Sequence, residues 1–276
     1  MLEDRLRRAL EGIRKALIIR EKIMLSFLEA LAEIELRNEV VLQGGNALHF
    51  GYGSPRYSKD LDFVLREGDV NSEEFEELCY KLSKVLVKFE NYPTEVNVKK
   101  LQDRLYRIKI KVHFEEQKTK ALFKDPLTVK LDVYNIMSHS PDEISIGKGF
   151  ILIEKPIEIF ADKIVADIER LRDRGSLKLY DLFDWYFILT NFDINIEEVA
   201  ELIIRKVEEY NMNQLKESDF DSLITYLDNK KNLETFYEVM MGYIPKQEFQ
   251  RLKSIHGFTN LIKENLIKLK NIVLKR

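Results

Sequence analysis

Two aspartates, Asp60 and Asp62, stand one residue apart in the run KDLDFVL that ends at Leu65. In an extended strand, residues i and i+2 project from the same face, roughly 7 Å apart at their Cα atoms. Carboxylates held that close repel each other unless a cation lies between them. Mg2+ suits the place, because it takes hard oxygen ligands, keeps several waters and joins one or two carboxylates to phosphates; Mn2+ is the alternative. A third ligand would come from a neighbouring strand. Asp132 is the candidate, since Lys130, Asp132 and Tyr134 alternate with Val129, Leu131 and Val133 in LTVKLDVYNI.

Upstream, EVVLQ (39–43) runs into Gly44-Gly45 and NALHF then resumes a helical pattern, so strand, glycine turn and helix follow in order. The start of a helix offers unpaired backbone N–H groups and the favourable end of its dipole to an anion. Glycine lets a phosphate approach the backbone, and Asn46 can serve as N-cap or offer its amide to a phosphate oxygen. Arg56 adds a cation in the following loop and Ser58 a hydroxyl, both candidates to bind the nucleotide; the plainer readings are a loop salt bridge for Arg56 and a turn-shaping role for Ser58. A phosphate seat about fifteen residues ahead of a metal pair reads as a site for a nucleoside triphosphate and its bridging metal. Further on, Lys163, Asp167, Arg170 and Arg174 recur at intervals of four, three and four, a polar stripe opposite part of the apolar set Ile164, Ile168 and Leu171. In YDLFDWYFILTNF (180–192), Asp181 and Asp184 can share a helical face, while Trp185 and its apolar neighbours read as packing.

These residues need a scaffold. The chain has 276 residues, 45% apolar and 33% charged, enough for one large domain or two modest ones. The first 37 residues place Leu6, Leu10, Ile13, Leu17, Leu28 and Leu31 at helical spacing. LDFVL, YRIKIKVHF (106–114) and LTVKLDVYNI (127–136) read as strands, and 72–89 as a helix opened by a capping box at Ser72. From Ile157 onward the pattern is helical, with helices expected near 157–172, 178–191, 195–210, 232–241 and 246–272. The break at Lys155-Pro156 predicts two domains, 1–155 and 156–276.

A single cysteine, Cys79, excludes an intrachain disulfide and a Cys-based metal site. No apolar run approaches the roughly 20 residues of a spanning helix, and the N-terminus lacks the apolar core of a signal peptide, so no membrane role and a cytoplasmic location are expected. The net charge of -3 conceals an uneven distribution: 12 Lys/Arg against 6 Asp/Glu over 84–130, and 8 against 2 over 246–276. Such segments would attract a polyanion.

The series Gly44-Gly45-Asn46-Ala47-Leu48, then Arg56, Ser58 and Asp60-Leu61-Asp62-Phe63, resembles the first motif of the AbiEii/AbiGii-type (MenT-like) nucleotidyltransferase toxins. A second block supports the resemblance. The family's A-x-K-x-x-A-x-x-x-R is matched by Ala161, Lys163, Ala166 and Arg170, and its R-D-L-x-D-L by Tyr180-Asp181-Leu182-Phe183-Asp184. Asn46 stands where the family has Ser or Thr, and Tyr180 where it has Arg. The resemblance implies an α+β fold, a nucleotidyltransferase-like mixed β-sheet with flanking helices, followed by a C-terminal helical domain that contributes Lys163 and Asp184 to the cleft. It also implies that Asp60 and Asp62 bind metal, that Lys163 contacts the nucleotide phosphates, and that Asp184, or Asp181 beside it, assists the attacking hydroxyl.

The expected activity is a metal-dependent transfer of NMP from an NTP to an acceptor hydroxyl. The resemblance points to a toxin with a cognate antitoxin, and to the tRNA 3′ end as acceptor; a protein or a small molecule are the other acceptors. A phosphotransferase using the same site, or a decayed nucleotide-binding module, are the competing readings.

Overall fold

The computed structural model describes residues 2–68, 70–85, 93–114 and 126–275, with 2–12 as backbone only. The side chains of Leu6 and Leu10, the expected helix tail at 86–89, and positions 86–92 and 115–125 of the first basic segment lie outside the described residues. The chain divides into two compact units, Met1–Glu154 and Lys155–Arg276.

The first unit runs α1 (Leu2–Ala32), a 3-10 turn (Glu35–Asn38), β1 (Val40–Gln43), α2 (Gly44–Tyr52), β2 (Leu61–Leu65), α3 (Ser72–Ser83), β3 (Thr94–Gln102), β4 (Leu105–Val112), β5 (Leu127–Met137), β6 (Asp142–Ile146) and β7 (Gly149–Ile153). The strands form one seven-stranded sheet in the order β3-β4-β5-β2-β1-β7-β6. It is mixed: β2 runs parallel to β5 and β1 to β7, and the other pairs are antiparallel.

One side of the sheet is built for packing. Phe63, Val133 and Tyr106 stand opposite one another across β2, β5 and β4. Phe27 of α1 meets Phe63 edge-on at 6.2 Å, and Phe75 of α3 meets Tyr106 at 5.3 Å. Leu17, Met24, Leu28 and Leu31 complete the buried stripe of α1. Each such side chain contributes about 1.5–3 kcal/mol by leaving water. Strand alternation then turns Asp62, Asp132 and Arg107, also opposite one another, to the other side. The apolar stripe thus fixes which way the polar set faces.

Several elements differ from expectation. α3 is capped by Asn71, not Ser72: its Oδ1 accepts from the backbone N–H of Glu73 and of Glu74, both at 3.0 Å. β3 was not anticipated, because TEVNVKKLQ is an edge strand exposed along almost its whole length and carries no buried-face signal. The hairpin of β6 and β7 also went unanticipated; its strands are only five residues each.

The second unit is helical: α4 (Pro156–Arg174), α5 (Leu179–Asn191), α6 (Ile196–Glu209), α7 (Glu217–Asp228), α8 (Lys230–Tyr243), α9 (Lys246–Ser254) and α10 (Phe258–Val273). Pro156 opens α4 at a position where its fixed φ and missing N–H cost nothing. The single helix expected over 246–272 is two, broken where Ile255 is extended and Gly257 takes φ 75°. α7 is an addition to the expected set. No helix among the described residues is long and apolar enough to cross a membrane.

α4 is joined to α6 by a buried ion cluster. The fully buried Lys206 Nζ lies 2.8 Å from Glu158 Oε1 and 3.2 Å from Asp162 Oδ2, and the Tyr210 hydroxyl donates to Asp162 Oδ1 at 3.1 Å. Removing the cation would leave two carboxylates in a site closed to water. Lys206→Met is therefore expected to cost about 3–5 kcal/mol. Denaturant unfolding followed by fluorescence of Trp185, the sole tryptophan and itself buried in this unit, measures the cost; a loss below about 1 kcal/mol would contradict it.

Candidate active site

In the first unit, β1 ends against a left-handed residue. Gly44 has φ 71°, a conformation that costs an L side chain about 1–2 kcal/mol. α2 starts there, with Gln43 as its N-cap and no side chain bonded to the cap. A Cβ on Gly44 would lie 3.7 Å from Asp62 Oδ2. A Cβ on Gly45 would lie 2.1 Å from Arg56 Nη2 and 3.4 Å from Ser58 Oγ. The guanidinium of buried Arg56 thus fills the space that a side chain at 45 would need, and its Nη1 donates to Tyr57 O at 3.2 Å. Gly44, Gly45, Arg56, Ser58 and Asp62 form one neighbourhood around the helix start.

Asn46 does something other than expected. It is not the N-cap, and its Nδ2 donates to the backbone O of Asp60 at 2.6 Å and to Met24 Sδ at 3.3 Å. Both amide protons are committed inside the protein, so Asn46 ties the start of α2 to the residue that begins the carboxylate pair. Its Oδ1 is buried without a hydrogen-bond partner among the described residues.

Asp60 precedes β2 in a bend, and Asp62 lies within the strand. Asp60 Oδ1 accepts from Lys130 N at 3.3 Å, while Lys130 Nζ sits 4.0 Å from Oδ2. Parallel pairing sets Asp62 directly opposite Asp132. Asp132, expected as a third metal ligand, is engaged instead by Arg107, whose Nε and Nη2 donate to its two oxygens at 2.6 Å each. That hydrogen-bonded pairing raises the Arg107 guanidinium above its ordinary pKa. A metal at Asp132 would have to displace a bidentate charged fork, among the stronger hydrogen-bonded pairings in proteins. The donor set at Asp60 and Asp62 does fit a hydrated divalent ion: hard carboxylate oxygens, 35% exposed at the Asp60 side chain, beside a helix start with no side chain on its cap.

The second unit holds its own charged cluster. Lys163 and Arg170 of α4 face Asp181 and Asp184 of α5, together with Asp167 from α4 itself. Lys163 Nζ donates to Asp181 Oδ1 and lies 2.8 Å from Asp184 Oδ2. Arg170 Nη1 donates to Asp167 Oδ1 at 2.7 Å and to Asp181 Oδ2 at 3.4 Å. Asp167 Oδ1 also accepts from Lys178 N at 3.3 Å. The stripe seen in the sequence is therefore mostly interior: Lys163, Asp167, Asp181 and Asp184 are buried, and Arg174 alone is exposed. Burial pushes the Asp181 carboxyl up, but the combined pull of Lys163, Lys178 and Arg170 outweighs it and holds the group below its ordinary value. Burial, reinforced by the Asp181 charge, pushes Asp167 up to about 7 against the pull of Arg170 and Lys163. Trp185 is fully buried and meets Phe160 edge-on at 6.5 Å, which makes it core.

A family model described as nucleotidyl transferase AbiEii toxin, type IV toxin–antitoxin system, matches residues 26–255. The chain belongs to this family. Among solved structures, a Helicobacter pylori protein provisionally assigned as a nucleotidyltransferase is similar at 18% identity and TM-score 0.51, over 93% of this chain and 95% of its own. JHP933 from Helicobacter pylori is similar at 19% identity and TM-score 0.49, over 94% of each chain. At that identity the first of these speaks for the fold, the mixed sheet with flanking helices. A search of curated proteins returned no match.

For this AbiEii-family chain, sequence reasoning missed Arg107 as the partner of Asp132, Lys130 as the partner of Asp60, and the depth of Asp167. Arg107 carried a usable signal, since it alternates outward from a strand that pairs with β5. Asp167 also generates a prediction. Its folded pKa, about 7, lies above the ordinary 3.8, so the folded state binds the extra proton between those values and stability falls as pH rises from about 4 through 7. Asp167→Asn keeps the oxygen facing Arg170 and Lys178 N but removes the titration. Relative to wild type it is expected to gain stability at about pH 8 over about pH 5, by an amount on the order of a few kcal/mol. Unfolding monitored at Trp185 at the two pH values checks this; equal offsets would contradict it.

Proposed function

We propose that the chain transfers NMP from an NTP to an acceptor hydroxyl in the presence of a divalent cation, with the 3′ end of tRNA as acceptor. The observation that carries this reading is the closeness of Gly44 and Asp62: a Cβ built on Gly44, the first residue of α2, would lie 3.7 Å from Asp62 Oδ2, so the helix start adjoins a carboxylate oxygen. A phosphate and a carboxylate so close repel unless a cation joins them, so the seat makes chemical sense as a triphosphate and metal site.

Asp60 and Asp62 would hold Mg2+ or Mn2+, which supplies charge neutralisation and alignment at the reacting phosphate. The N–H groups at the start of α2 and the Arg56 guanidinium receive phosphate oxygens. The acceptor oxygen forms a bond to the α-phosphorus, the bond from that phosphorus to the bridging oxygen breaks, and pyrophosphate leaves with that oxygen. Lys163 neutralises phosphate charge, oriented by Asp181, and Asp184 receives the proton of the acceptor hydroxyl. These roles for Lys163, Asp181 and Asp184 rest on the family motif and on the ion cluster of the second unit. Asp132 keeps Arg107, so Asp60 and Asp62 would hold the cation without it.

The test incubates the protein with each α-labelled NTP, Mg2+ and total tRNA, beside Asp62→Asn, Asp60→Ala and Lys163→Ala. Label is expected in RNA, falling by about a hundredfold or more in each variant, the scale seen when a charge-stabilising group is removed. Transfer that survives Asp60→Ala overturns the site. Label reaching the acceptor from γ-labelled NTP instead would identify a phosphotransferase.

A further inference from the structure

The polar side of the sheet extends well beyond the carboxylates. Side chains that stand opposite each other across neighbouring strands share a face. The face that bears Asp62 and Asp132 therefore continues through Thr128, Lys130 and Tyr134 of β5, Arg107, Lys109 and Lys111 of β4, and Glu95, Asn97 and Lys99 of β3. Three of its five cations are matched by acids: Arg107 by Asp132, Lys111 by Glu95 at 3.2 Å, and, most loosely, Lys130 by Asp60 at 4.0 Å. Lys99 and Lys109 make no ion pair among the described residues.

Lys109 and Lys130 stand directly opposite each other. At the 4.5–5.5 Å Cβ separation of such pairs, like charges destabilise the sheet. Lysines on an edge strand protect it from pairing with another chain, which would account for Lys99 on β3. Lys109 and Lys130 lie on β4 and β5, inside the sheet, where no edge needs protection. The Asp60 carboxylate lies 4.0 Å from Lys130 while Lys109 makes no ion pair among the described residues, and an anion lying across both lysines would relieve the repulsion that remains.

We infer that this face of β3, β4 and β5 is the seat of a single-stranded RNA whose phosphates run over Lys99, Lys109 and Lys130 toward Asp60 and Asp62. The inference rests on the nucleotidyl transfer proposed above and adds where the acceptor lies. Lys99, Lys109 and Lys130 stand on three neighbouring strands, about 4.8 Å from one strand to the next, and so mark a line across the sheet that a chain of phosphates can follow. Tyr134, half-buried on the same face, offers a ring for base stacking, the usual companion of a cationic track for single strands. An acidic protein segment would need apolar anchors among the charges, and the solvent side between these cations presents Asn97 and Thr128 instead. The other basic segment is less suited: Lys263 is paired with Asp228 at 2.6 Å, and Lys270 with Glu217 and Asp221 at 3.1 and 2.9 Å.

The experiment measures binding of a fluorescent single-stranded RNA with a free 3′ hydroxyl to the full chain across a salt series, for wild type, Lys99→Ala/Lys109→Ala and the control Lys81→Ala on α3. Each phosphate contact on a single strand contributes about 0.7 to the slope of log K against log salt, so the double variant is expected to lose about 1.4 from that slope and the control none. In the transfer assay, KM for RNA should rise about tenfold or more in the double variant while KM for NTP stays within twofold. Circular dichroism of both variants confirms the fold, and Lys99→Arg/Lys109→Arg should restore the slope. An unchanged slope, or no RNA binding by wild type, overturns the inference. Unchanged slope with continued label transfer to RNA leaves the proposed reaction standing, whereas a lowered slope without label transfer keeps the seat and removes the reaction.

Discussion

Asp62 and Asp132 stand opposite each other on adjacent parallel strands, and that juxtaposition of like charges governs the rest of the polar face. Two carboxylates on neighbouring strands need two cations. β4 supplies one permanently, because its register brings Arg107 opposite Asp132 in bidentate contact. Asp60 has Lys130 at 4.0 Å, and Asp60 with Asp62 is where the proposed cation would bind. The sheet thus gives Asp132 a built-in counterion, and that pairing depends on an apolar stripe of α1 that packs against the far side of the sheet.

The helical unit solves the same problem by a different route. Its carboxylates are buried, so solvent cannot screen them and each must find a basic partner within the fold. Lys163 serves Asp181 and Asp184, Arg170 serves Asp167 and Asp181, and Lys206 serves Glu158 and Asp162. Around Arg170 there are more acids than the bases can hold ionised. Asp167 absorbs the excess by moving its titration toward neutrality, which makes it the soft point of the cluster.

What the sequence disclosed follows the range of the interactions. The D-x-D pair, the glycine turn, and the Lys163, Asp181 and Asp184 pattern are local spacings, and the structure shows those residues in two clusters, one in each unit. The partners of those residues lie far along the chain. Arg107 and Asp132 are separated by 25 positions, and their meeting depends on strand register, which no single segment encodes. The stripe of α4 was legible as a stripe, but periodicity reports only that one face differs from another. It does not say that a second helix covers the polar face as well. β3 was invisible for a related reason, since an edge strand wet on both faces has no apolar alternation to read.

Asn46 replaces the hydroxyl of the family motif, and its two donors face inward to Asp60 O and Met24 Sδ. The start of α2 and the backbone of the turn at Asp60 are therefore tied together. Two sites joined by such a strut are energetically reciprocal: whatever factor the cation adds to phosphate affinity, phosphate must return to the cation. On the proposed reading, metal and nucleotide would be recognised as a single object.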